Sequence, residues 1–184
     1  MNNIYLRIPN KDEILIRKKW MEDKATMSYN AGYFSNMNGY NYNDGTIFLD
    51  NNFYLDFYDN WINQEPLKYY TFIFETSTDT PIGEIYFYFN QVEQIHNMGI
   101  LIDAKYRNKG YSREALLEFL NIAFNRIGIK RISNTIPTDR QNAIKLFKGV
   151  GFYQNRIVNG VKFEKPEESL QLVITKESFE RRNK

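Results

Sequence analysis

The chain is expected to fold as a single α/β (α+β) domain with a mixed, mostly antiparallel central sheet of about seven strands and helices on both faces. Three observations lead there. Its 184 residues favour one domain, with enough chain to bury a core of its own. Apolar content of 42% and charged content of 25% are ordinary for a globular protein. Residues 69–102 read as three consecutive strands, and beyond them helical and strand-like periods alternate.

Ile4, Leu6 and Ile8 alternate with Tyr5 and Arg7, which predicts a first strand, ended by Pro9. Asn10 or Asp12 can cap a helix over residues 11–20, with Ile14, Leu15 and Trp20 inward. Residues 21–33 leave room for a short second helical turn. Residues 35–45 are dense in Asn and Gly and lie among Tyr29, Tyr33, Phe34, Tyr40 and Tyr42. A loop of that length is either a binding loop or a plain surface loop. Asp50 can cap a helix over residues 51–63, with Phe53, Phe57, Tyr58 and Trp61 as its apolar stripe.

Strands over residues 69–75, 82–89 and 94–102 then form an antiparallel meander. Gly128 stands where a left-handed helix end is common. A strand over 131–136 is joined to the meander through a helix, so it should pair in parallel. Asp139 can cap a helix over 140–148, closed by Gly149 and Gly151. Strands over 152–158 and 170–175 finish the sheet, with a turn at Asn159 and Gly160 and a polar stretch from Glu164 to Ser169 between them. Residues 176–184 read as a flexible basic tail.

The stretch over 100–124 carries the chemistry. Ile100, Leu101 and Ile102 are a short β-favouring run. Residues 103–109 break it, Gly110 can take angles closed to other residues, and Ser112 can cap a helix. Ala115, Leu116, Phe119, Leu120, Ala123 and Phe124 then recur at helical spacing. A polar loop opening a helix off a strand leaves N–H groups pointing out of the first turn, where the helix dipole favours an anion. Arg107, Lys109 and Arg113 add positive charge. The loop is either a phosphate cradle or an ordinary strand-to-helix turn.

The run Arg107, Asn108, Lys109, Gly110, Tyr111, Ser112 resembles the Q/R-x-x-G-x-G/A loop of the GCN5-related N-acetyltransferases (GNAT family), with Ser112 departing at the last position. Residues 142–152 loosely resemble the family's N-x-x-A-x-x-x-Y-x-x-x-G-F segment, through Asn142, Ala143, Gly151 and Phe152. The opening of the chain and its aromatic middle look most like the branch that acetylates ribosomal proteins, amino acids and polyamines.

The resemblance implies the GNAT fold, with a parallel strand pair that splays apart, and acetyl-CoA as cofactor. It implies cofactor contacts at Ile100, Leu101, Ile102, at Arg107 through Ser112, and at Asn142 and Phe147. The usual tyrosine that protonates the departing thiolate falls on Phe147, which has no hydroxyl. The implied reaction is acetyl transfer to a primary amine, most simply a small molecule. A protein N-terminal acetyltransferase and a non-catalytic acyl-CoA sensor are the alternatives.

Composition narrows the partners. The net charge of +2 is too small to indicate nucleic-acid binding. There is no cysteine, which excludes disulfides and thiolate metal sites, and His96 is the only histidine. No apolar run is long enough to span a bilayer, so the expected setting is cytoplasmic, as a monomer or homodimer. The 14 Tyr and 14 Phe fit either core filling or an aromatic pocket.

Acetyl transfer needs a neutral amine, and alkylammonium groups are protonated at neutral pH. A base is therefore expected. Glu84, at the start of the second meander strand, is the first candidate, with Glu93 and His96 as alternatives. Tyr29 and Tyr33, with Glu84, are the expected acceptor-binding residues.

Overall fold

The chain forms seven strands: β1 (Ile4–Arg7), β2 (Lys68–Glu75), β3 (Thr80–Asn90), β4 (Ile95–Ile102), β5 (Arg131–Pro137), β6 (Tyr153–Lys162) and β7 (Lys165–Thr175). They form one sheet in the order β1-β2-β3-β4-β5-β7-β6. The helices are α1 (Leu15–Glu22), α2 (Lys24–Met27), α3 (Asn51–Trp61), α4 (Tyr111–Asn121), α5 (Gln141–Val150) and α6 (Lys176–Arg182). The computed structural model describes residues 3–33, 37–162 and 165–182. Phe34, Ser35 and Asn36 of the expected loop, Glu164, and residues 183–184 of the expected tail lie outside the described residues.

All strand pairs are antiparallel except β4 with β5. That parallel pair is in register only at His96 with Ile132 and Asn97 with Ser133. Beyond it β4 continues to Ile102 and β5 to Pro137, and the two strands splay.

The period of two divides each strand between two cores. Tyr69, Ile73, Ile85, Phe87, Met98 and Ile102 face α4 and α5, where they meet Leu116, Phe119, Leu120 and Ile144. Tyr70, Phe72, Phe74 and Leu101 face α1 and α3, where they meet Ile14, Trp20 and Tyr54.

Several local expectations are corrected. Neither Asn10 nor Asp12 caps α1. A 3-10 turn over Asp12–Ile14 leads in, and the Glu13 carboxylate takes the Asn10 N–H at 2.6 Å while pairing with Arg7. Ser112 does not cap α4, because Gly110, left-handed at φ 85°, takes the cap position two residues earlier. Asp139 does not cap α5; Arg140 holds the cap position, without a side-chain cap bond. Asp50 does cap α3, accepting from the Phe53 N–H at 2.9 Å. On α3 the fully buried residue is Tyr54, and Phe53 is exposed; Phe57 and Trp61 stack at 5.0 Å along the half-buried edge.

The last hairpin is longer than its apolar pattern. Asn159 and Gly160 are not a turn but pair with Glu168 and Glu167, and pairing runs on to Lys162 with Lys165. Main-chain bonds hold a polar hairpin without a hydrophobic face. Residues 176–182 are not a loose tail. Ser178 and Thr175 exchange cap bonds, and Phe179 docks on Phe124 with ring centroids 5.5 Å apart. Lys176 Nζ donates to Phe124 O at 3.2 Å and Arg182 to Gly149 O at 2.9 Å, so both ends of this short helix are tied down. The C-terminus of the α4 segment leaves through a π-helical stretch, Ile122–Ile127, and ends on left-handed Gly128 as expected.

Candidate active site

The splay of β4 from β5 opens onto the loop that follows β4. A 3-10 turn over Ala104–Tyr106 leads to Arg107, and Asn108 and Gly110 both take positive φ, 64° and 85°. These two left-handed residues turn the chain abruptly into α4. The N–H groups of Asn108, Lys109, Gly110, Tyr111 and Ser112 find no acceptor among the described residues, whereas Arg113 already bonds back to the Gly110 carbonyl at 3.0 Å. Five unpaired donors at the positive end of an 11-residue helix make an anion cradle. Nothing lies within 4 Å of where a Cβ at Gly110 would stand, so the cradle is open. These groups fit the diphosphate of a coenzyme A.

The side chains of the loop do not all face that cradle. Lys109 lies over the rings of Tyr106 and Tyr111 at 5.1 and 5.8 Å. Arg107 turns the other way. Its Nε donates to Ile102 O at 3.1 Å, and its two terminal nitrogens donate to Ala25 O and Thr26 O at 3.2 and 2.5 Å.

On the α1–α3 side of the sheet, Glu84 of β3 is only 2% exposed, opposite Leu101 of β4. Its Oε2 accepts from Arg17 Nε at 2.7 Å and from the Tyr70 hydroxyl at 2.5 Å. Arg17 in turn lies 4.3 Å over the Phe57 ring. Burial works against the Arg17 charge, but Glu84 more than offsets it, and the guanidinium pKa is raised. Burial, reinforced by Glu84, pushes the Tyr70 phenol well up, so it stays a neutral donor; Tyr86 is raised for the same reasons.

Glu84 Oε1 takes no hydrogen bond from the described residues. Nor is it sealed: among them Tyr54 Oη is the one fully buried side-chain polar atom without a partner. One carboxylate oxygen is therefore locked and the other carries no hydrogen bond from the described residues. Beside it the Tyr86 ring lies across Gly99, where a Cβ would come within 2.5 Å of the ring.

Tyr29 and Tyr33 are brought together by Arg140, which sits between β5 and α5. The guanidinium lies 4.9 Å from the Tyr29 ring and 4.4 Å from the Tyr33 ring. It donates to Tyr29 O at 2.9 Å and to the Tyr33 hydroxyl at 3.1 Å. The Tyr33 hydroxyl also approaches Glu167 at 3.3 Å and Asp139 at 3.4 Å. Partial desolvation and the charge of Glu84 raise the Tyr29 pKa, and the charge of Arg140 lowers it; the residue itself is 41% exposed.

Other sequence candidates sit elsewhere. Asn142 is exposed on the first turn of α5. Counted back from Gly151 and Phe152, the family segment keeps Ala143 and Phe147 in register and puts Arg140, not Asn142, in the asparagine position. Phe147 is 2% exposed and packs edge-on against Phe152 at 4.9 Å, inside the core. Glu93 pairs with Arg156 and accepts from Gln171, and His96 bonds Pro66 O at 2.9 Å. Both belong to the end of β3 and β4 away from Glu84. Arg17, Tyr70 and Arg140 were not read from the sequence. The available signal was Arg17 on the same helical face as buried Ile14 and Met21.

A family profile described as an acetyltransferase (GNAT) domain matches residues 3–153. No curated protein sequence matches. Among solved structures, a spermidine N-acetyltransferase from Vibrio cholerae, in complex with CoA and spermine, superposes with a TM-score of 0.77 at 12% identity, over 96% of this chain and 98% of that one. A GNAT-family acetyltransferase from Bacillus anthracis does so with 0.71 at 16%, over 96% of each chain. FdhC, described as a nucleotide-linked sugar GNAT, gives 0.72 at 15%, over 99% of this chain and 92% of that one. At such identities the likeness is one of fold. Profile, fold and cradle agree: this chain belongs to the GNAT family of acetyl-CoA-dependent N-acetyltransferases.

Proposed function

We propose that the protein moves an acetyl group from acetyl-CoA to the primary amine of a small molecule. The observation that carries this reading is the open cradle of five unpaired N–H groups at residues 108–112, set beside the splayed end of β4. The cradle takes the diphosphate, and the unpaired edge of β4 at Ile100, Leu101 and Ile102 takes the pantetheine arm and supplies a main-chain donor to the thioester oxygen. When bound, acetyl-CoA supplies an activated acyl carbon. Spermine bound to the Vibrio cholerae relative makes a small amine a reasonable class of acceptor.

Glu84 is proposed to take the amine proton through Oε1, directly or across a water, while Arg17 and Tyr70 hold Oε2 in place. Tyr29 and Tyr33 are proposed to wall the acceptor side. Phe147 has no proton to give and no opening to the gap. Departure of the thiolate then rests on its own stability and on the alignment of the reactants, which can supply about 7–11 kcal/mol of a barrier.

The test is thiol release from acetyl-CoA with a panel of amines: polyamines, amino acids, amino sugars and short peptides. Amine-dependent release with an acetylated small product is the expected result. Release only with peptides assigns the chain to protein N-termini. Tight binding without release assigns it to sensing.

A further inference from the structure

Two guanidiniums converge on one short segment from opposite walls of the gap. Arg107, just past β4, binds the carbonyls of Ala25 and Thr26. The same wall adds a bond from the Ala104 N–H to the fully buried Thr26 hydroxyl at 3.0 Å. Arg140, just past β5, binds the carbonyl of Tyr29 and clasps both tyrosine rings. The carbonyls concerned are those that a helix leaves unpaired at its C-terminal end. They belong to α2, of four residues, and to the 3-10 turn Ser28–Asn30. Elements so short do not hold themselves in water. Neither arginine is within ion-pair distance of a carboxylate among the described residues; Arg107 ties the segment to Ile102 O of β4 through its Nε.

We propose that Arg107 and Arg140 are positioning residues for the amine acceptor, pinning residues 24–33 across the open end of β4 and β5, one from each wall. Arg107 is then not a phosphate ligand, although it borders the phosphate cradle. Its guanidinium faces the carbonyls behind the loop, and the cradle is left to main-chain N–H groups. Bonds with Tyr40, Tyr42 and Gly45 hold residues 30–33 to the following loop; the two arginines tie that unit to the walls of the gap and so set where Tyr29 and Tyr33 stand relative to it. Because a strand end and its loop carry each tie, ordering of either wall is passed to the acceptor side. The assignment of this segment to the amine rests on the function proposed above.

The full-length protein is tested as Arg107→Ala, Arg107→Lys, Arg140→Ala and Arg140→Lys. Three readouts are taken: acetyl-CoA Kd, amine KM and kcat, and hydrogen exchange of residues 24–33 against α4. Both alanine variants should speed exchange in 24–33 by about tenfold and leave α4 unchanged. Amine KM should rise about tenfold with kcat within about threefold, the pattern of lost positioning. Acetyl-CoA Kd should stay within about twofold. The lysine variants keep the charge but lose the planar fork, and should fall between wild type and alanine. An Arg107→Ala variant whose acetyl-CoA Kd weakens tenfold, with exchange in 24–33 unchanged, would make Arg107 a phosphate ligand and overturn the proposal. So would Arg140→Ala with amine KM and exchange both unchanged. A wild type that turns over no amine removes the proposed function and the acceptor role with it, while exchange still reports whether the two ties exist.

Discussion

On one face of the sheet, β2 and β3 present Tyr69, Ile73, Ile85 and Phe87 to α4, with Phe119 seated among them. On the other face the same strands present Tyr70, Glu84 and Tyr86 to α1, with Arg17 reaching in. The first face is closed mainly by apolar burial, with Arg126 lying 5.0 Å over the Tyr69 ring. The second holds a charged pair that costs desolvation and returns most of it through short bonds. A domain has no need of that pair to fold, since one dry face shows what apolar packing achieves. The difference teaches where to look for chemistry: at the strand position where alternation requires an apolar residue and a carboxylate stands instead.

Equal damage to the two faces should have different remedies. Phe119→Ala opens a cavity on the dry face and should cost about 3–5 kcal/mol. Arg17→Met strands Glu84 and should cost a similar ~3–5 kcal/mol. The two should part company on a second substitution. Adding Glu84→Gln to Arg17→Met should restore much of the stability and none of the turnover, whereas Phe119→Ala has no partner to rescue it. Urea denaturation with an activity assay on the same samples checks this. An Arg17→Met variant as stable as wild type would mean the pair is not buried as described.

Phe147→Tyr places a phenol on the dry face. It should cost about 1–3 kcal/mol if the hydroxyl stays unpartnered. Turnover should not rise, because the ring packs on Phe152 and not in the gap. Tyr54 already keeps a sealed hydroxyl without a partner, so the fold should survive. A large gain in turnover would place residue 147 at the thioester.

Gly110→Val should strain the left-handed residue by about 1–2 kcal/mol, visible as a lower Tm. Space for the side chain exists, so the damage falls on the aim of the cradle N–H groups. Acetyl-CoA affinity should drop about tenfold or more, roughly 1.4 kcal/mol. Unchanged affinity in isothermal titration would move the cradle elsewhere.

The smallest effect expected is that of His96. Burial lowers its pKa from 6.5, and the bond with Pro66 O opposes the shift. Below 6.5 the unfolded chain then binds more protons than the folded one. Stability is therefore complete above that pH and declines as pH falls through the window just beneath it. Tm measured from about pH 7.5 to 5 should show this slope, and His96→Asn should flatten it.

Much of the fold was legible because its signals are local. Residues 70–74 and 82–89 alternate across the sheet, and Gly110, Gly128 and Gly151 sit at helix ends with positive φ. The failures are local too. Ser112 and Asp139 are good caps by type, but a glycine and an arginine took the cap positions because the chain turns two residues before the first and one residue after the second. The β6–β7 hairpin and α6 lack apolar periodicity, and main-chain pairing, one docked phenylalanine and the bonds of Lys176 and Arg182 hold them instead.

The cradle belongs to the sequence in the same sense. Its donors are neighbours in the chain, and two left-handed residues followed by a helix point them outward wherever the loop is placed. Glu84 was readable as a candidate, but its partners were not. Arg17 lies 67 residues away, the carbonyls that hold Arg107 lie 82 and 81 away, and the one that holds Arg140 lies 111 away. No spacing rule connects such positions. They meet because α1 and α2 cross the sheet where β4 parts from β5, and a buried charge or an unpaired carbonyl accepts whichever donor the packing brings within about 3 Å.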